Sequence, residues 1–219
     1  DLDANPGPGV LNFNSAGSMD VALTKLNPAG DLIWSKHLSG TLFQTPQVIK
    51  TDANDNVFIF GYFNGTVDMN PGAGVTNLVS AGSDDVYVGK YDPDGNLLWA
   101  VRTGGTGTEQ SYGFDVDADV NAVLHGYFQN TVDFDPGAGT ANLTAGFAGS
   151  NFLLKLNGDG TYQSAISMGS AYGNKMILDD AGNVYITGLF WETVDFNPGA
   201  GVFNLTAAGF SSDAYILKL

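Results

Sequence analysis

Apolar and polar residues alternate in short runs along this chain, and turn-forming residues separate the runs. Asp20-Val21-Ala22-Leu23-Thr24-Lys25-Leu26 is one run, and Asp31-Leu32-Ile33-Trp34-Ser35-Lys36-His37-Leu38 answers it across Asn27-Pro28-Ala29-Gly30. A period of two marks a strand, and two such runs around a Pro- or Gly-containing turn mark a hairpin. Gln47 to Thr51 and the more apolar Val57 to Phe63 flank Asp52-Ala53-Asn54-Asp55 in the same manner. The grammar continues with Val86 to Tyr91 and Leu97 to Val101 around Asp92-Pro93-Asp94-Gly95, then with Gly113 to Asp117 and Val123 to Phe128. Phe152 to Leu156, Tyr162 to Met168, Lys175 to Leu178, Val184 to Gly188 and Ala214 to Leu219 complete it. No segment places apolar residues at helical spacing over a dozen positions. The pattern predicts about a dozen strands and no helix longer than one turn.

One stretch recurs four times and sets the period. Asp3-Ala4-Asn5-Pro6-Gly7-Pro8-Gly9, Asp68-Met69-Asn70-Pro71-Gly72-Ala73-Gly74, Asp133-Phe134-Asp135-Pro136-Gly137-Ala138-Gly139 and Asp195-Phe196-Asn197-Pro198-Gly199-Ala200-Gly201 begin 65, 65 and 62 residues apart. A fixed long period is the signature of a repeat architecture. Each period supplies four strands in meander order and an excursion of roughly 20 residues after the Pro-Gly turn. Four antiparallel strands per repeat make the blade of a propeller. The expected fold is all-β: a β-propeller-like array of four-stranded antiparallel blades, about 3.4 repeats of about 65 residues, within one repeat domain over residues 1–219. Its units are 3–67, 68–132, 133–194 and a partial 195–219.

Composition narrows the function classes. Of 23 acidic residues only Glu109 and Glu192 are glutamates, so the acid content is aspartate, which favours turns over helix interiors. A formal charge of −15 argues against nucleic acid or an anionic membrane as partner. Without cysteine there is no disulfide, thiolate catalysis or thiolate metal site. No run of about 18 apolar residues marks a spanning segment, so membrane insertion is not expected.

Asp85 to Trp99 with the following Gly104-Gly105, and Asp180-Ala181-Gly182-Asn183-Val184-Tyr185-Ile186-Thr187-Gly188, resemble the two halves of the bacterial β-propeller repeat of SBBP type. The resemblance covers nearly the whole chain. It implies a propeller-type fold and an extracellular or bacterial cell-surface location, and it implies no defined reaction. The chain departs from that repeat in its inserted Asp-x-Asp/Asn-Pro-Gly-x-Gly loop, in Ser164 where Trp34 and Trp99 stand, and in its low repeat count.

The repeated loop is the one plausible metal site: Asp3 with Asn5, Asp68 with Asn70, Asp133 with Asp135, and Asp195 with Asn197. Calcium takes six to eight oxygens, and two oxygen side chains two residues apart can begin such a shell. Asp20, Asp84, Asp85 or Asp213, at the head of the next strand, would close it. The second reading is an Asx turn whose side chains satisfy backbone N–H groups and bind nothing. Asp92-x-Asp94-Gly95-Asn96 and Asp52-x-Asn54-Asp55-Asn56 are explained by hairpin turn chemistry. His37 and His125 have no counterparts in the other copies; His125 stands where Phe60 and Thr187 stand, as drift at a tolerant position would leave it. Glu109 and Glu192 are isolated, so no glycosidase pair is read.

Two function classes follow. One is an extracellular structural module, not an enzyme, that self-associates head-to-tail as a homo-oligomer or filament through incomplete terminal blades. The pattern leaves the first blade without its first two strands and the last without its fourth, and exposed strand edges are templates for pairing. A crop from a longer propeller polypeptide explains the same ends. The alternative class is a calcium-stiffened module that binds a glycan or a surface protein.

Overall fold

The computed structural model describes residues 2–169, 171–209 and 211–219. Among them every regular element is a strand. The short strands β1 (Leu2–Asp3) and β2 (Asn12–Phe13) form a hairpin ahead of the antiparallel pair β3 (Val21–Leu26) and β4 (Leu32–Leu38). Blade I consists of β5 (Gln44–Thr51), β6 (Val57–Phe63), the inserted hairpin β7 (Thr66–Asp68) and β8 (Asn77–Val79), then β9 (Asp85–Tyr91) and β10 (Leu97–Thr103). Blade II repeats this with β11 (Gln110–Val116), β12 (Ala122–Phe128), β13 (Thr131–Asp133), β14 (Asn142–Thr144), β15 (Ser150–Leu156) and β16 (Tyr162–Ser167). Blade III has β17 (Tyr172–Leu178), β18 (Val184–Phe190), β19 (Thr193–Asp195), β20 (Asn204–Thr206) and β21 (Asp213–Lys218).

The sheets run β5-β6-β9-β10 and β11-β12-β15-β16, with three strands, β17-β18-β21, in blade III; none closes on itself. The described residues form a propeller-like array of blades. The expectation of about a dozen strands is too low, for there are twenty-one among the described residues. The excess lies in the excursions, which fold into hairpins of two or three residues per arm, too short for alternation to show.

Burial explains the pattern within a blade. In β6 and β12 six of seven residues are buried, because a blade is covered on both faces by its neighbours, and strands covered on both faces read as continuous apolar runs. The outer strands β10 and β16 are half-buried along most of their length. Each innermost strand is bulged, at Pro46/Val48, Ser111/Gly113 and Gly173/Lys175. Opposite each bulge stands a glycine. A Cβ on Gly61, Gly126 or Gly188 would lie 2.2, 2.1 or 2.0 Å from the carbonyl oxygen of Thr45, Gln110 or Tyr172. Only a residue without a side chain lets the bulged strand come that close.

The core is divided among the junctions between blades. Val21, Leu23 and Leu38 pack with Val57, Ile59 and Tyr87 of blade I. Phe58, Phe60 and Val88 of blade I pack with Phe114 and Leu124 of blade II. Val123 of blade II packs with Met176, Ile186 and Phe190 of blade III. At the rim, the Trp34 indole N–H donates to the Pro93 carbonyl at 3.0 Å, and the Trp99 indole donates to the Gly158 carbonyl at 3.0 Å. Lys25 and Lys90 reach the same two carbonyls. The first two outer strands, β4 and β10, thereby latch the outer turn of the next blade.

Candidate functional site

The inserted loops begin where the hairpin strands β1, β7, β13 and β19 end. In all four, Oδ1 of the first aspartate accepts two backbone N–H groups, one two residues on and one eight residues on. For Asp68 these are Asn70 at 2.9 Å and Thr76 at 2.8 Å; for Asp133 they are Asp135 at 3.1 Å and Ala141 at 2.7 Å. Asp3 holds Asn5 and Leu11, and Asp195 holds Asn197 and Phe203, in the same way. These backbone donors keep the carboxyls of Asp3 and Asp195 below the usual aspartate range. The second side chain, Asn5, Asn70, Asp135 or Asn197, accepts from the glycine after proline at 2.8–2.9 Å.

The loops are thus nested Asx turns. The last glycine of each motif lets the turn close, since a Cβ on Gly9, Gly74, Gly139 or Gly201 would lie 2.1–2.6 Å from the second Asx side chain. The residue between the two Asx positions anchors the loop in the core: Ala4, Met69, Phe134 and Phe196 are all buried. Phe134 meets Phe128 and Phe152 at ring separations of 5.2 and 5.0 Å, and Phe196 meets Phe190 and Tyr215 at 5.3 and 4.8 Å. Among the described residues no three His, Asp or Glu side chains gather where they could hold a metal ion.

The residues expected to close a calcium shell also have backbone work. Asp20, Asp85 and Asp213 accept from the N–H of Ala16, Ala81 and Ala208, fixing the turn that feeds β3, β9 and β21. Ser150 replaces them in blade II and accepts from Gly146. Asp20 also bonds His37 at 2.9 Å, and Asp85 bonds Arg102 at 2.7 Å. His37 and Arg102 occupy equivalent places in β4 and β10, so His37 has a counterpart that residue identity concealed. In blade II this pair is Ser150 and Ser167.

Glu109 is not isolated. It lies at the junction of blades I and II, fully buried, accepting the Gly105 N–H at 2.8 Å. Burial pushes its carboxyl up to about 7, and the Asp85 charge pushes the same way. The buried Asp85 is itself raised by desolvation, which outweighs Arg102. Asp85 Oδ1 and Glu109 Oε1 have no hydrogen-bond partner.

His125 does not sit at a tolerant position either. It is fully buried on β12, its Nδ1 3.0 Å from the Phe152 carbonyl and its Nε2 without a partner. Burial lowers its pKa to about 4, so the ring is neutral. Tyr112 stands 6.0 Å from it, and Tyr112, Tyr127 and Trp191 surround Tyr172 at ring separations of 5.8–6.2 Å. Across the inner strands, Asp115 ties three blades together: its carboxylate is 3.0 Å from Lys50 Nζ of blade I and accepts the Leu178 N–H of blade III at 3.0 Å.

No family model matches the chain. Over 122 residues it is 31% identical to an uncharacterized WD repeat-containing protein of Acanthamoeba polyphaga mimivirus, a match covering 54% of this chain and 9% of that protein. This is a repeat β-propeller-like protein. The similarity supports the repeat architecture and not the bacterial SBBP family in particular. The matched stretch is a small fraction of the viral protein.

Proposed function

We propose that this chain is an extracellular structural module, a non-enzymatic propeller-repeat scaffold that associates with further copies of itself through an uncovered blade face. The carrying observation is blade III. Pairing register places Lys175, Ile177, Tyr185, Thr187, Ile216 and Lys218 on one face of its sheet, opposite the face packed on blade II. Val88, the counterpart of Ile216 in blade I, is 2% exposed beneath blade II, whereas Ile216 is 78% and Ile177 60% exposed. In the described sheet β21 forms one edge and β17 the other. Exposed isoleucines beside a strand edge favour both stacking and strand addition. The resemblance to secreted bacterial repeats supports the extracellular placement.

The reading is tested on residues 1–219 by light scattering across a concentration series and by negative-stain microscopy. The expected result is concentration-dependent association into head-to-tail particles, abolished by Ile216→Lys with an unchanged far-ultraviolet spectrum. Particles that stay monomeric at every concentration, or association indifferent to Ile216→Lys and Ile177→Lys, would overturn it.

A further inference from the structure

In a repeat protein, residues needed for the scaffold recur, so a cluster confined to one junction calls for another explanation. Tyr112, Tyr172 and Trp191 lie at the junction of blades II and III. Their counterparts one repeat earlier are Gln47, Gln110 and Gln129, and the paired positions Gln110–Tyr127 and Tyr172–Leu189 fix that correspondence. Three amides have become three aromatic rings at one junction alone. These rings are not filling a core, for Tyr172 is 48% and Trp191 43% exposed.

The geometry points to a binding site for a neutral saccharide on this aromatic platform. Tyr127 and Tyr172 stack at 23°, with Trp191 edge-on to Tyr172 at 85°, giving a broad and rigid apolar surface. The C–H face of a pyranose ring is apolar and suits such a surface, while its rim of hydroxyls needs neutral donors and acceptors. Gln110 and Gln129 supply them, each already bonded to a platform tyrosine, Tyr112 and Tyr127. Beyond Gln129 the surface continues into a cleft of about 560 Å³ lined by Asn130, Thr131, Thr144 and Phe147. Every side chain lining it is uncharged. That volume is in the range of small-molecule sites.

Charge selects among ligands that stack on aromatic rings. Single-stranded nucleic acid needs a basic groove, and this chain carries −15 with the acidic, exposed Glu192 next to Trp191. The same charge disfavours anionic polysaccharides. A cation finds no carboxylate in the cleft lining. Pairing register puts Tyr172, opposite Leu189, at one end of the blade III face that carries Thr187 and Ile216, so retardation is read on the Ile216→Lys variant as well, where self-association is lost.

Affinity electrophoresis through gels containing soluble glucan, mannan, xylan or galactan, with hyaluronan and pectate as anionic controls, tests it. The expected result is retardation by at least one neutral polymer and none by the anionic pair. Tyr172→Ala and Trp191→Ala should each weaken retardation at least tenfold, and Tyr172→Phe should retain it. Both residues are exposed, so far-ultraviolet spectra and melting curves should match those of the parent. Absence of retardation by all four neutral polymers, preference for the anionic pair, or binding untouched by the double alanine variant would overturn the assignment.

Discussion

The junctions on either side of blade II are built on one plan and filled differently. Between blades I and II the contact is aromatic, with Phe114 5.7 Å from Phe60 and 5.9 Å from Phe58, and a buried acid, Glu109, sits above it. Between blades II and III the place of Phe60 is taken by His125, a smaller core forms around Met176, and the aromatic residues move to the surface. The Asx loops and the bulge-facing glycines, by contrast, are nearly constant. The scaffold lies in what recurs, and the junctions are where the chain has been free to change.

The largest expected effect is at the aromatic contact. Phe114→Ala should cost about 3–5 kcal/mol and separate blade I from blade II, whereas Met176→Ala in the softer junction should cost about 2–3 kcal/mol. Denaturant titration measures both; equal costs would erase the contrast.

The next effect is electrostatic. With the Glu109 carboxyl at about 7 against 4.5 when unperturbed, the folded protein holds a proton that the unfolded chain has released between those values. The stability tied to this group is fully present below pH 4.5 and is lost as pH rises to about 7. Glu109→Gln should therefore raise stability at pH 8 by about 2–3 kcal/mol and leave it nearly unchanged at pH 4. Chemical denaturation at the two pH values reads this directly, and a variant less stable at pH 8 would refute it.

Smaller effects come from the constant parts. Gly139→Ala and Gly74→Ala should each cost about 1–2 kcal/mol, and by similar amounts, because an added methyl displaces the same Asx side chain in both loops. Unequal costs would show that the loops are not equivalent. Excess chelator should leave the melting temperature unchanged, since the loops are closed by their own backbone donors. A drop on chelation, reversed by calcium, would favour the calcium reading.

The scaffold was legible in sequence because its signals are local. Alternation and the Asp-Pro-Gly turns lie within a few residues of the structure they specify, and the long period repeats them. The inserted hairpins were missed because three residues per arm cannot show a period of two. Junction residues were missed for another reason: Lys50 meets Asp115, and Trp34 meets Pro93, only after separate blades have stacked. His37 and Arg102 were recoverable by aligning the repeats on position and charge. His125 was misread because a polar residue in a strand resembles drift until its burial is known.

The central claim is that a shared scaffold carries junctions of opposite character, and site-resolved hydrogen exchange between pH 4 and 7.5 tests it most directly. His125, neutral when buried with a pKa of about 4 against 6.5, contributes stability that is present above pH 6.5 and lost as pH falls towards 4. Glu109 acts in the other direction. After correction for intrinsic exchange, amides of β9 and β10 beside Glu109 should lose protection as pH rises, and those of β17 and β18 beside His125 should lose it as pH falls. Protection that changes in the same direction at both junctions, or at neither, would contradict the account.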